Sequence, residues 1–259
     1  MSAPAIRAGP YNAGRMIPHF ERLTDSRLLP RWLLHEHEAR YAFCRDRVRG
    51  KVVLDCGSGE GKGSRAIALG LPRILVAVDR SLAAVAAART EKVTPVAGDA
   101  ERLAARDRSV DMVVALEVIE HFDHPDAFLA EAARILRDDG MLICSTPNRT
   151  VRNPRLPLNG RPLNPWHIRE WTTEEFRSML TRAFGMVELF GQQPQSRRVT
   201  RLFDGLSSLI SRRGAAIARQ LVKIGLVIVP RGKSYSVQPL RAGADCEFIV
   251  AVCGDPRRP

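Results

Sequence analysis

Residues 51–64, KVVLDCGSGEGKGS, constrain the fold of this chain more than any other feature of its sequence. The apolar residues 52–54 have the composition of a short buried strand, and Asp55 adds a carboxylate where that strand ends. Glycines follow at alternate positions before a helical pattern begins near Arg65: Gly57, Gly59, Gly61 and Gly63. Glycine accepts positive φ and lets a ligand approach the main chain. A strand, a glycine-rich turn and a helix in succession predict the first half of a βαβ unit, whose turn binds a nucleotide.

The spacing of these glycines excludes two common phosphate-binding motifs. The dinucleotide motif needs a third glycine where this chain has Lys62, counted from Gly57, or Ser64, counted from Gly59. The P-loop needs lysine directly before serine or threonine, but Gly63 separates Lys62 from Ser64. The pattern that remains is Asp-x-Gly-x-Gly-x-Gly.

Two further acidic residues follow predicted strands. Residues 74–78 precede Asp79, and residues 93–97 precede Gly98 and Asp99. A carboxylate at the end of the second strand can accept hydrogen bonds from both hydroxyls of a ribose. Because the carboxyl ends of parallel strands meet at one edge of a sheet, Asp55, Asp79 and Asp99 predict a nucleoside site rather than three helix caps.

Length and composition indicate a globular protein. The chain has 259 residues, 45% of them apolar, and no apolar run that predicts a membrane-spanning helix. The N-terminus lacks the apolar core of a signal peptide, so we expect a cytoplasmic protein. Five scattered cysteines without a Cys-x-x-Cys pair favour buried free thiols.

Most of the positive charge falls in one segment. The net charge is +12, and residues 196–241 contain ten Lys or Arg and one acid, Asp204. Apolar residues at helical spacing in this segment predict two basic amphipathic helices. These helices could cap the active site, contact an anionic membrane surface or pack as a structural insertion.

The middle of the chain alternates predicted strands and helices. We expect a helix over 31–47, a strand over 111–116, a helix over 125–136 and a strand over 141–144. The proline-rich residues 147–171 predict an irregular substrate loop carrying His167, Arg169 and Trp171. A capping box of Thr172 and Glu175 begins a helix that ends near residue 183, and strands follow at 186–190 and 246–252.

The glycine motif and the segment ALEVIEHFDHPDAFLAEAARILRDDGMLICSTPN together resemble the class I S-adenosylmethionine-dependent methyltransferases. Within that class they are similar to the branch of quinone, sterol and sugar O-methyltransferases. The resemblance implies an α/β, Rossmann-like doubly wound sheet of seven strands in the order 3-2-1-4-5-7-6, with the last strand antiparallel. It also implies S-adenosyl-L-methionine as cofactor, held by Asp55, Gly57, Gly59, Gly61, Asp79, Arg80, Asp99, Ala100 and Glu117.

The same resemblance divides the chain into three parts. Residues 1–48 would form an N-terminal arm and a lead-in helix, on which Arg40 and Tyr41 could line the cofactor pocket. Residues 49–191 and 242–259 would form the methyltransferase core. Residues 192–241 would be a basic helical cap insertion.

A hydroxyl acceptor benefits from a base, and histidine has a suitable pKa. His121 and His167 are therefore the candidate catalytic residues, with Glu120 or Glu170 to orient a ring. We predict no metal site, although Glu120, His121, Asp123 and His124 bring acids and imidazoles together in the sequence.

Three functions follow from these observations. The favoured one is O-methylation of a small-molecule, glycan or lipid-linked acceptor, with peripheral membrane contact through 196–241. An RNA or other nucleic-acid methyltransferase is the second, supported by the basic segment alone, because Ser145-Thr146-Pro147-Asn148 replaces the motif used for base amines. The third is a non-catalytic S-adenosylmethionine-binding protein.

Overall fold

The computed structural model describes residues 31–153, 160–195, 235–241 and 244–258. This part of the chain contains six α-helices. They are α1 (Arg31–Arg45), α2 (Lys62–Ala68), α3 (Leu82–Ala88), α4 (Pro125–Ile135), α5 (Arg149–Arg152) and α6 (Thr173–Ala183). A 3-10 helix, Ile119–His121, follows the fourth strand.

Eight strands form one mixed sheet. They are β1 (Val52–Cys56), β2 (Ile74–Asp79), β3 (Thr94–Ala97), β4 (Val110–Leu116), β5 (Leu136–Pro147), β6 (Phe184–Gln195), β7 (Gln238–Pro239) and β8 (Asp245–Pro256). Their order is β3-β2-β1-β4-β5-β8-β6-β7. Strands β1 to β5 pair in parallel, whereas β8 pairs antiparallel with both β5 and β6. The predicted order 3-2-1-4-5-7-6 is confirmed, with β8 as the predicted seventh strand.

Helices cover both faces of the sheet, and successive residues of each strand point to opposite faces. In β4, Val113 and Ala115 belong to the apolar cluster that includes Phe128 of α4 and Phe176 of α6. Met112 and Val114 belong to the opposite cluster, which includes Ile67 of α2. Two buried faces explain why the central strands read as continuous apolar runs rather than as alternating patterns.

The predicted capping box is present at the start of α6. The Thr172 hydroxyl accepts a hydrogen bond from the Glu175 amide at 3.2 Å, and the Glu175 carboxylate accepts one from the Thr172 amide at 2.9 Å. A cap of this kind stabilises a helix by about 1 kcal/mol. It fixes the end of the loop that carries His167.

The segment expected to be a helical insertion is partly strand at its two ends. Strand β6 extends through Gln195, and the two-residue β7 pairs with it at Phe190 and Gly191. The expected basic helices lie at 196–234, outside the described residues, as does the arm at 1–30. Among the helices that the structure describes, none is long and apolar enough to cross a membrane. All five cysteines are buried and free, as predicted.

Candidate active site

The glycine turn after β1 adopts a conformation that side chains disfavour. Gly57, Gly59 and Gly61 have φ values of 69°, 52° and 75°. The amides of Gly57 and Ser58 donate to the Val78 carbonyl of β2 at 2.8 and 3.1 Å, which ties the turn to the neighbouring strand. A Cβ atom at Gly57 would lie 2.5 Å from Val118, whereas one at Gly59 would meet no atom within 4 Å. Gly59 is therefore the point at which a ligand can reach the main chain.

The fourth glycine of the motif has a different role. Gly63 lies in α2, and a Cβ atom there would overlap the Tyr41 ring of α1. The absence of a side chain lets the lead-in helix pack directly on the helix that follows the glycine turn. This contact positions α1 beside the candidate cofactor site.

Asp79 lies where the sequence predicted it, at the end of β2 and next to the turn. One carboxylate oxygen accepts the Gly59 amide at 2.8 Å, and the other accepts the Ser81 amide at 2.8 Å. The side chain is half-buried. Each oxygen has a second lone pair, so the carboxylate can accept a ribose hydroxyl while it keeps these bonds.

Asp99 and Arg80 form an ion pair at the ends of β3 and β2. One Arg80 nitrogen lies 2.9 Å from Asp99 and 2.9 Å from Glu101. Partial burial opposes ionisation of Asp99, but hydrogen bonds from the Glu101 amide and from Arg80 outweigh it and lower its pKa. Ala100 is buried directly after this carboxylate. The ion pair places charged side chains at the sheet edge next to Asp79.

Asp55 differs from the other two acids because it is buried, with 1% of its surface exposed. The Ser64 hydroxyl donates to its carboxylate at 2.5 Å. Burial raises the pKa of Asp55 to about 7, the Ser64 hydrogen bond opposes that shift, and the charge of Asp79 adds to it. Asp55 thus joins β1 to α2 through Ser64 and supports the glycine turn from within the fold.

Glu117 follows β4 with an unusual backbone. Its φ is 54°, in the left-handed region that residues other than glycine rarely adopt. The Ser145 hydroxyl, at the end of β5, donates to the Glu117 carboxylate at 2.6 Å and lies 3.0 Å from its amide. Strained residues of this kind are common at functional sites. Sequence reasoning missed Ser145, although the predicted parallel pairing of β4 with β5 brings it opposite Leu116.

Glu120, His121 and His167 meet beside Glu117. One nitrogen or oxygen atom of each lies within 4.8 Å of those of the other two. The two imidazole rings are 4.9 Å apart at their centroids and nearly perpendicular. Neither oxygen of the buried Glu120 carboxyl has a hydrogen-bond partner within the described residues. Burial raises the pKa of Glu120, Glu117 adds to the shift and His167 opposes it.

The loop at 160–171 orients both imidazoles. His121 Nδ1 lies 2.9 Å from the Trp166 carbonyl oxygen, and the His167 Nδ1 lies 2.6 Å from the buried Glu170 carboxylate. Because a carbonyl oxygen only accepts hydrogen bonds, Nδ1 of His121 carries a proton, so in the neutral ring Nε2 holds the lone pair. Asn153 also donates to Glu170. Glu170 is one of the two acids that the sequence offered for orienting a ring, whereas the Trp166 carbonyl and Asn153 could not be foreseen because they depend on the path of the loop.

Not every residue of the predicted substrate loop faces the site. Trp171 is buried and packs against Phe176, with ring centroids 6.0 Å apart. Arg169 is exposed and lies over the Trp171 ring at 5.7 Å. The exposed apolar residues of the loop are Leu163, Trp166 and Ile168.

Arg40 is a buried cation of α1. It donates to Gln192 of β6, and its guanidinium lies 4.5 Å from the centre of the Phe248 ring. Its Nε and Nη2 atoms have no hydrogen-bond partner within the described residues. These contacts attach the lead-in helix to the antiparallel half of the sheet.

Comparison with known proteins identifies the family. The "Methyltransferase domain" family matches residues 54–144, which include the glycine turn and the His121 segment. A probable S-adenosylmethionine-dependent methyltransferase of Mycolicibacterium smegmatis is 33% identical over 226 residues, covering 83% of this chain and 82% of that protein. The chain belongs to the S-adenosylmethionine-dependent methyltransferases. A protein of Mycobacterium tuberculosis with the same description is 35% identical over 189 residues, which span 70% of this chain and 66% of the relative.

More distant similarities agree with this assignment. A ubiquinone biosynthesis O-methyltransferase of Azorhizobium caulinodans is 33% identical over 119 residues, which cover 44% of this chain and 47% of that protein. The crystal structure of an S-adenosylmethionine-dependent methyltransferase from Thermotoga maritima has a TM-score of 0.58. The similarity covers 91% of this chain and 98% of that structure. Because the two sequences are only 18% identical, it supports the fold alone.

The described residues fit S-adenosylmethionine as the cofactor. The open space at Gly59 leaves room for the nucleoside against the main chain, and Asp79 offers the carboxylate that a ribose diol requires. Glu117, held by Ser145, follows β4 directly and lies three residues before Glu120. When bound, the cofactor supplies a methyl group activated by its positively charged sulfur.

Replacing Asp79 with alanine should weaken the binding of S-adenosylmethionine by about tenfold to a hundredfold. A hydrogen bond to a charged acceptor contributes roughly 1.5 to 3 kcal/mol, and the Gly59 amide would also lose its partner. Isothermal titration calorimetry measures the change. Glu91→Ala removes an exposed acid and should leave the affinity unaltered; equal affinities for the two variants would contradict the ribose role of Asp79.

Proposed function

We propose that this methyltransferase transfers the methyl group to a hydroxyl oxygen of a small-molecule or lipid-linked acceptor. The observation that carries the proposal is the His121 ring, half-buried beside Glu117 with its Nδ1 proton directed to the Trp166 carbonyl. This tautomer gives Nε2 the lone pair that a base needs. An oxygen nucleophile requires such a base, whereas a thiolate does not.

The proposed reaction needs two things of the protein. Positioning the acceptor in line with the methyl carbon contributes roughly 7 to 11 kcal/mol to a step of this kind. The acceptor oxygen would form a bond to that carbon as the carbon–sulfur bond breaks, and the hydroxyl proton would pass to Nε2 of His121. The products are a methyl ether and S-adenosylhomocysteine.

The surface around His121 favours an acceptor with an apolar part. Leu163, Trp166 and Ile168 are 72%, 37% and 51% exposed, and they belong to the loop that holds His121 and His167. The Ile168 amide donates to the Glu120 carbonyl at 2.8 Å, so this apolar surface is fixed next to the candidate base. The name of the Azorhizobium relative, an O-methyltransferase of ubiquinone biosynthesis, agrees with a hydroxyl on an apolar molecule.

Methyl transfer from labelled S-adenosylmethionine into separated polar, lipid and RNA fractions of a cell extract tests the proposal. We expect label in a hydroxylated apolar or lipid-linked compound, with the methyl group stable to alkali as an ether. Transfer to a neutral acceptor should also vary little with added salt. Label found in RNA instead, with activity that falls steeply as salt rises, would contradict the proposal.

A further inference from the structure

A second charged cleft, here called the basic cleft, lies at the opposite edge of the sheet from the glycine turn. Strands β1, β2, β4 and β5 all begin at this edge, because they pair in parallel. The basic cleft has a volume of about 290 Å³, near the lower limit of roughly 300 to 1,000 Å³ for small-molecule sites. The charged side chains that line it are Arg49, Lys51, Arg73, Arg137, Asp111 and Asp139.

Main-chain hydrogen bonds join the two turns that carry most of these cations. The Gly50 amide, before β1, donates to the Leu71 carbonyl at 3.0 Å, and the Arg73 amide, before β2, donates to the Lys51 carbonyl at 2.8 Å. Gly50 lines the basic cleft with a φ of 71°, and a Cβ atom there would meet no atom within 4 Å. The position of the cations is therefore fixed by the backbone, and the main chain at Gly50 is open to a small ligand.

One of the two acids in the basic cleft is already neutralised by the protein. Asp111 accepts a hydrogen bond from the Val52 amide at 2.7 Å and another from Arg137 at 2.7 Å. Asp111 and Arg137 therefore form an ion pair that also fixes the beginning of β1. This pair adds no net charge to the cleft.

The other three cations of the basic cleft are not neutralised. Within the described residues, the side chains of Arg49, Lys51 and Arg73 make no hydrogen bond or ion pair, and the remaining acid of the lining is Asp139. Three positive charges and one negative charge give the cleft a net charge of +2. Cations brought together in this way repel one another, and a cleft lined by one sign of charge concentrates ions of the opposite sign.

We propose that the basic cleft binds a phosphate group of a ligand. An arginine guanidinium presents N–H donors in a planar fork that matches two phosphate oxygens, and a lysine ammonium adds a compact charge. Arg49 and Arg73 lie on the two joined turns and line the same cleft, so both can contact one phosphate, and Lys51 adds its charge from the turn before β1.

A groove next to the basic cleft limits the source of this phosphate to two kinds of molecule. Leu71 and Ile74 are 51% and 46% exposed, and they line a groove that shares Arg73 with the basic cleft. An apolar group attached to the phosphate would contact these two side chains. The source is either a free phosphorylated molecule or the head group of an anionic phospholipid. Neither depends on the proposed O-methylation, because the candidate catalytic residues lie at the other edge of the sheet.

Isothermal titration calorimetry of the full chain with pyrophosphate, in a buffer without phosphate or sulfate, tests for a free ligand. We expect one pyrophosphate bound per chain, with an affinity that Arg49→Ala and Arg73→Ala each lower by about tenfold or more. The matched control is Arg89→Ala, which removes an exposed cation outside the cleft and should bind as wild type does. Unaltered binding of S-adenosylmethionine shows that each variant is folded.

Sedimentation with phosphatidylcholine vesicles that contain phosphatidylglycerol tests for a lipid head group. In that case Arg73→Ala should weaken vesicle binding by about fivefold relative to Arg89→Ala, which corrects for any contact through 196–241. Leu71→Asn removes apolar surface, and asparagine accepts the φ of 59° at this position. It should also weaken vesicle binding while the affinity for pyrophosphate stays unchanged.

Loss of either kind of binding in the Arg49 and Arg73 variants, with Arg89→Ala unaffected, supports the site and identifies the source of the phosphate. A wild-type chain that binds neither pyrophosphate nor the vesicles would overturn the inference. Equal binding of both by Arg49→Ala, Arg73→Ala and Arg89→Ala would overturn it as well. None of these outcomes involves methyl transfer, so the proposed function is tested separately.

Discussion

His121→Ala should lower the turnover number for methyl transfer by about 10²- to 10⁴-fold, the contribution of a positioned proton acceptor. The variant loses the half-buried imidazole whose Nδ1 donates a hydrogen bond to the Trp166 carbonyl. The affinity for S-adenosylmethionine should change little, because the candidate cofactor-binding residues Gly59 and Asp79 are untouched. Single-turnover kinetics together with calorimetry separate these two quantities.

The matched control is His124→Ala, which removes an exposed imidazole three residues along the chain. It should keep the wild-type rate. His167→Ala should also be slow, because His167 packs against His121 with ring centroids 4.9 Å apart. Recovery of the His121→Ala rate at higher pH indicates that His121 acts as a base. Wild-type rates in both the His121 and the His167 variants would show that neither side chain is the base.

The second prediction concerns Asp55 and the way the free energy of unfolding changes with pH. Because the pKa of Asp55 is about 7 in the fold, against about 3.9 in an unfolded chain, the folded state binds the extra proton between these values. The protonated side chain therefore contributes stability that is fully present below about pH 4 and is lost as the pH rises through about 7. In the chain without cofactor, ionisation of Asp55 should lower the free energy of unfolding by up to about 4 kcal/mol across that window.

Asp55→Asn isolates this effect, since it keeps an oxygen that can accept the Ser64 hydroxyl. The difference in unfolding free energy between variant and wild type should grow in favour of the variant from pH 4 to pH 8. If the substitution also destabilises the fold by the same amount at every pH, the change of this difference with pH stays the same. Urea titrations at several pH values measure it, with Asp46→Asn as the exposed control, for which the difference should stay constant. A constant difference for Asp55→Asn as well would mean that Asp55 is ionised throughout.

Much of the candidate cofactor site could be predicted, because each of its residues lies in or next to a short sequence pattern. Each of Asp55, Asp79 and Asp99 follows a strand that the apolar pattern identifies, and parallel pairing brings strand ends together. Gly57, Gly59 and Gly61, which the motif places in the turn, all have positive φ. Local pattern did not reveal that Asp55 is buried under the turn while Asp79 lies beside it.

For the candidate catalytic residues around His121, the sequence predicted which residues take part but not how they are arranged. His121 and His167 are 46 positions apart in the numbering, and the loop between α5 and α6 decides whether they meet. Trp171 lies on the same irregular loop as His167, yet Trp171 packs against Phe176 whereas His167 packs against His121. Irregular loops have no periodicity from which the direction of a side chain can be read.

By itself, the sequence determined the order of strands and helices, the glycine turn and the acids at the strand ends. These features depend on hydrophobic periodicity and on the backbone preferences of individual residues, which act over a few positions. Only the tertiary structure decided that Ser145 holds Glu117, that Trp166 orients His121 and that Glu120 is buried without a hydrogen-bond partner in the described chain. These contacts join residues that are far apart in the sequence. They depend on the close packing of side chains from several elements, which a local sequence pattern does not encode.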